Sequence, residues 1–114
     1  MNKSIVMIAP VKTLILFGGG SLITEFATQS IKRGINTYVF AVKRHLEEVI
    51  DIKTGLTLEN ALEKENITFY HVNDMNNSPE LGAVIAEEKD VVGIGIGEAY
   101  TFNKETIDLF GGKL

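Results

Sequence analysis

Apolar residues in this chain fall in short unbroken runs, and between the runs they recur at helical spacing. Leu14-Ile15-Leu16-Phe17 is continuous and stops at Gly18-Gly19-Gly20, the pattern of a strand covered on both faces. Ser21 then stands where a helix cap belongs. The helix it opens carries Leu22, Phe26 and Ile31 near one side, and Gly34 ends it by supplying positive φ. Thr37 to Val42 is β-branched and aromatic, which predicts a second strand, and Lys43-Arg44 mark its exit.

The second half repeats the alternation. His45 to Ile50 reads as a short helix or a loop, and Gly55 separates it from a helix capped by Thr57 that carries Leu58, Ala61 and Leu62 to Lys64 or Glu65. Ile67 to Val72 is the third strand, and Asn73 to Asn77 is a run of turn residues. Ser78 at the cap, Pro79 at the first helical position and Glu80 beside the positive helix end predict a helix to about Lys89. Val91 to Ile96 is a fourth buried strand, with Gly93, Gly95 and Gly97 leaving room for another backbone or a flat ligand. Asn103 caps a last helix through Phe110, Gly111-Gly112 end it, and Lys113-Leu114 begin a fifth strand.

Strands alternating with helices imply a parallel sheet with right-handed crossovers and helices on both faces. The expected architecture is α/β, a three-layer Rossmann-like segment over residues 13–114, incomplete at its C-terminus and preceded by an extension of residues 1–12. No internal repeat or low-complexity stretch interrupts it.

Composition narrows the partners. At 114 residues, 45% hydrophobic and 23% charged, the chain reads as one ordinary globular domain or part of one. A net charge of −4 disfavours nucleic acid and anionic membranes as partners. The absence of cysteine removes disulfides, thiolate metal sites and a cysteine nucleophile, and fits a reducing compartment. Ile5 to Ala9 is shorter than a signal-peptide core or a membrane span, so a cytoplasmic location is expected.

The glycine turn places backbone N–H groups at a positive helix end, where an anion can bind. Its other reading is structural: Gly18, Gly19 and Gly20 make a tight turn and let the helix approach the sheet. A dinucleotide fingerprint needs a third glycine where this chain has Ile23, and an acid after the second strand where it has Lys43 and Arg44. Both tests go against NAD.

His45 and His71 are the two histidines, in separate units with no carboxylates at metal-ligand spacing, which predicts no metal site. His45 lies just past a strand end, as a ligand contact or a solvated loop residue, while His71 lies within a strand and reads as structural. Glu47, Glu48, Glu87 and Glu88 read as solvated helix charges. Glu98 follows Gly97 at the end of the fourth strand, either as an acceptor for a donor-rich ring or as a solvated acid. Tyr100 and Phe102 either stack on that ring or cover the sheet end. No serine, histidine and carboxylate are spaced as a nucleophilic triad.

Three segments together resemble the amino-terminal half of the folate-dependent formyltransferase family, whose members act on methionyl-tRNA, glycinamide ribonucleotide and amino sugars. They are Leu14 to Leu22, Val39 to His45, and Gly95 to Glu105, and the likeness spans roughly residues 13–114. The resemblance implies that Gly95, Gly97, Glu98, Ala99, Tyr100, Thr101 and Phe102 lie against the pterin of 10-formyltetrahydrofolate, largely through backbone groups. It also implies a substrate loop at Gly18, Gly19, Gly20 and Ser21, similar to the phosphate loop of the glycinamide ribonucleotide enzyme, with Leu22 in place of a polar residue.

In the family a strand carrying an asparagine and a histidine follows, with an aspartate further on, and these three are absent from this chain. The resemblance therefore implies the folate-binding front of an N-formyltransferase that moves a formyl group to a primary amine of a sugar or small metabolite, a nucleotide-linked amino sugar among them. Truncated before its catalytic strand, the chain alone is expected to be inactive and to form a homo-oligomer through an exposed sheet edge. The alternative is a non-catalytic Rossmann-like module that binds a nucleotide or nucleotide sugar, or that dimerises.

Overall fold

The structure is a computed structural model that describes residues 12–73, 76, 78–88, 90–96 and 104–109. The elements are β1 (Thr13–Gly18), α1 (Ser21–Lys32), β2 (Asn36–Ala41), α2 (Lys43–Leu46), β3 (Val49–Asp51), β4 (Leu56–Thr57), α3 (Leu58–Lys64), β5 (Thr68–His71), α4 (Pro79–Glu87), β6 (Val91–Ile96) and α5 (Lys104–Leu109). Expectations about Ile5 to Ala9, Lys89, the Asn103 cap, the helix end at Phe110 to Gly112 and a strand at Lys113-Leu114 lie outside the described residues. Among those described, no helix is long and apolar enough to cross a membrane.

Four strands form one parallel sheet in the order β5-β2-β1-β6. The chain steps outward from β1 through β2 to β5, then crosses back to set β6 on the free side of β1. Alternate side chains on each strand separate into two cores. Leu14, Leu16, Val39 and Ala41 pack with Ile23 and Ala27 of α1 and with Leu58 and Leu62 of α3. Ile15, Phe17 and Phe40 face the other way, toward Leu81 and Val84 of α4. The expected α/β/α layering follows, because crossovers in opposite directions place their helices on opposite faces. Phe17, Phe40 and Tyr70 line the second face, with ring centroids 6.1 Å and then 5.0 Å apart.

The structure corrects three details. Ser21 is not the cap of α1: Gly20 occupies that position at φ 85°, with no side-chain cap, and Ser21 is the first helical residue. Leu22, Phe26 and Ile31 do not form the buried face either. Ile23, Ala27 and Ser30 do, while Leu22, Phe26 and Ile31 are 60%, 39% and 43% exposed. At about 100° per residue Leu22 and Ile31 stand on opposite flanks of the helix, so they never shared a side. The third correction is the antiparallel hairpin of β3 and β4 between α2 and α3, with Gly55 at φ 73° in its turn.

Glu88, expected to be solvated, is half-buried just beyond α4. Its Oε1 accepts from the Thr13 hydroxyl at 3.1 Å and the Asn36 amide at 3.2 Å, and its Oε2 from the Tyr38 hydroxyl at 3.2 Å. One carboxylate thus ties the lower ends of β1 and β2 to the helix layer. Burial and this hydrogen bond push the Tyr38 hydroxyl above the ordinary tyrosine value.

Candidate functional site

The direction of chain travel reverses at β1, whose neighbours are β2 on one side and β6 on the other. In open α/β sheets the strand ends on either side of such a reversal are the usual ligand position, because the loops leaving them part and open a crevice. The two glycine segments singled out in the sequence meet here. Gly18 is in register with Ile96, and Phe17 with Gly95. The Gly19 amide donates to the Ile96 carbonyl at 3.3 Å.

Each glycine of the turn answers a different demand. A Cβ on Gly18 would collide with the Ile96 carbonyl oxygen, so this position is fixed by the closeness of two backbones. A Cβ on Gly19 would stand 2.6 Å from Nδ1 of His45. At Gly20 a Cβ would meet nothing within 4 Å, and there positive φ is the constraint. The space beside Gly20 is open, and the first amides of the helix that starts there have no intrahelical acceptor. No acidic residue sits in that first turn to neutralise the helix end.

His45 completes the floor. It sits in α2, one turn past the end of β2, and is only 8% exposed, which overturns the solvated-loop reading. Its Nε2 lies 3.3 Å from Nη2 of Arg44, and its Nδ1 lies 3.7 Å from the Glu48 carboxylate. A guanidinium only donates, so this contact makes Nε2 the acceptor and turns an N–H toward Glu48. Arg44 is exposed and meets the ring at Nε2, the ring nitrogen farther along from the Nδ1, Cγ and Cβ atoms that face Gly19. Lys43, its exposed neighbour, pairs with Glu47 at 3.8 Å. The acid a dinucleotide ribose would need is replaced by this basic turn, as the sequence indicated.

Of the residues assigned to a ligand from sequence, Gly18, Gly19, Gly20, Ser21 and Gly95 are brought together at the carboxyl ends of β1 and β6, with Ser21 and Gly95 exposed. Gly97, Glu98, Ala99, Tyr100, Thr101 and Phe102 lie outside the described residues. His71 is exposed at the end of edge strand β5, so it contributes no core packing. Among the described residues no three His, Asp or Glu side chains converge as a metal ion would require.

A second concavity lies away from the strand ends. A groove of about 480 Å³ runs between α1, the hairpin and α3, with Ile50 and Leu56 among its apolar lining and Thr24, Asp51, Lys64 and Glu65 among its polar lining. Ser21 is shared between this groove and the glycine turn. The groove depends on the hairpin, and its residues carry no motif that marks it in the sequence.

Comparisons with protein-family models, with curated proteins and with solved structures find no match to this chain.

Proposed function

We propose that the crevice between β1 and β6 binds 10-formyltetrahydrofolate and the phosphate or sugar end of an amine acceptor, making the chain the folate-binding front of an N-formyltransferase. The observation that carries the reading is the meeting of the Gly18 turn with the Ile96 end of β6 at the point where chain direction reverses. Gly95 offers an exposed, side-chain-free stretch of strand beside Phe17, suited to a flat ring lying on backbone. The first amides of α1 with Arg44 suit the acceptor's anionic group. When bound, the folate supplies the formyl group. His45 and Gly19 hold the turn in shape, and Arg44 orients the acceptor. The chain has no Asn-x-His sequence, so the reading assigns it binding and not catalysis.

Titration calorimetry of the 114-residue chain with 5-formyltetrahydrofolate tests this. Saturable heat that weakens in Gly95→Val supports a pterin surface at β6. A folded sample that gives no heat with the folate removes the proposal. Heat with a uridine diphosphate sugar instead, lost in Arg44→Ala, assigns the crevice to the nucleotide-sugar module.

A further inference from the structure

We infer that the flank of α1 turned away from α3 pairs with the same flank of a second copy of this chain, the two helices antiparallel about a two-fold axis. This surface is distinct from the crevice and does not depend on what the crevice binds.

The flank is built by helical spacing. Leu22, Phe26, Gln29 and Arg33 recur at four, three and four residues and so form one stripe, with Glu25 beside it. The stripe borders a shallow groove of about 280 Å³ that Ser30 also lines. Leu22 at 60% and Phe26 at 39% exposure are the apolar members. The opposite flank, with Thr24 and Thr28, faces the hairpin and α3, and Glu25 and Gln29 stand on the outer ridge between the two flanks, lining both grooves. Since α3 lies toward β2 and β5, the Leu22 flank looks toward β6. Val92 and Ile94 of β6 are only partly buried on this face of the sheet, packed at the margin of the core that holds Ile23 and Ala27.

Charge decides the occupant. The stripe has its acid, Glu25, near the amino end and its base, Arg33, at the carboxyl end. An antiparallel copy reverses that order, so each Arg33 meets the other copy's Glu25 and its aliphatic stem covers the other copy's Leu22. Gln29 of each copy then meets Gln29 of the other at the axis, and Phe26 lies between Gln29 and Arg33 of the other copy. The antiparallel arrangement also opposes the two helix dipoles favourably. A parallel pairing would set Glu25 beside Glu25 and Arg33 beside Arg33, which is repulsive at both ends. The stripe is about 18 Å long, less than a standard interface of about 800 Å² per partner provides, so the pairing is a concentration-dependent dimer.

Sedimentation equilibrium over a concentration series reads the dimer, and circular dichroism checks that every variant is folded. Phe26→Lys, which removes the apolar contact and sets a cation beside the other copy's Arg33, is expected to raise the dimer dissociation constant at least about tenfold. Arg33→Glu, which opposes like charges at both contacts, is expected to do the same. The double variant Glu25→Arg with Arg33→Glu restores opposite charges and is expected to return the constant to within about threefold of the parent. A chain that stays monomeric throughout overturns the proposal. So does a dimer indifferent to these substitutions, which would place the contact at the β6 edge or elsewhere, and so does a double variant no better than Arg33→Glu alone.

Discussion

The His45 imidazole rests directly on the backbone of Gly19, leaving no room for a β-carbon there: one would stand 2.6 Å from Nδ1 and 2.9 Å from the His45 Cβ. Because the ring's own Cβ is part of the clash, a rotamer change alone does not relieve it. Gly19→Ala is therefore expected to cost about 1–3 kcal/mol, the range for overpacking a filled site. Adding His45→Ala should recover part of that loss. Urea unfolding of both single variants and the double variant gives the coupling, and strict additivity would show that the two residues do not constrain each other.

Gly18 and Gly20 separate close approach from backbone conformation. Gly18→Ala drives a methyl group into the Ile96 carbonyl at φ 141° and attacks the β1–β6 junction itself. Its expected cost is at least about 3 kcal/mol, the upper end of overpacking effects. Gly20→Ala meets open space and bears only the cost of its backbone conformation, φ 85° and ψ 169°, a region essentially confined to glycine, about 1–3 kcal/mol. Equal losses for the two variants in urea unfolding would contradict this division.

The same positions show what a sequence of this kind discloses. Continuous runs such as Leu14 to Phe17 announce strands because a sheet covered on both faces leaves no polar side to interrupt them. That logic located β1, β2, β5 and β6, and the glycine turn with them. It failed where geometry depends on partners distant in sequence. His45 looks solvated in the string, and it is buried because it lands on Gly19 of another unit. Glu88 looks like one more helix charge, and it is drawn in by Thr13, Asn36 and Tyr38. The β3–β4 hairpin escaped because strands of three and two residues carry no period to read.

Capping gives a paired test of how local sequence acts. The Ser78 hydroxyl accepts from the Leu81 amide at 3.2 Å, and the Thr57 hydroxyl accepts from Asn60 at 3.2 Å. Ser78→Ala and Thr57→Ala are each expected to cost about 1 kcal/mol. Ser21 makes no cap, so Ser21→Ala should stay within about 0.5 kcal/mol of the parent. Thermal or urea unfolding of the three variants decides it, and a loss at Ser21 equal to that at Ser78 would return Ser21 to the capping role.

Tyr38 makes stability depend on alkaline pH. Burial, reinforced by its hydrogen bond to Glu88, raises its ionisation above the ordinary value of 10.0, because the fold favours the neutral hydroxyl. The unfolded chain therefore releases this proton at lower pH than the folded one. The stabilisation linked to Tyr38 is present in full below the unfolded value and is lost as pH rises through the folded one. Urea midpoints measured from about pH 8 to about pH 11 should fall more steeply for the parent than for Tyr38→Phe. Other tyrosines and lysines titrate in the same range, so the difference between the two curves is the quantity to read. Parallel curves would mean that the Tyr38 hydroxyl is solvated and that Glu88 anchors the sheet through Thr13 and Asn36 alone.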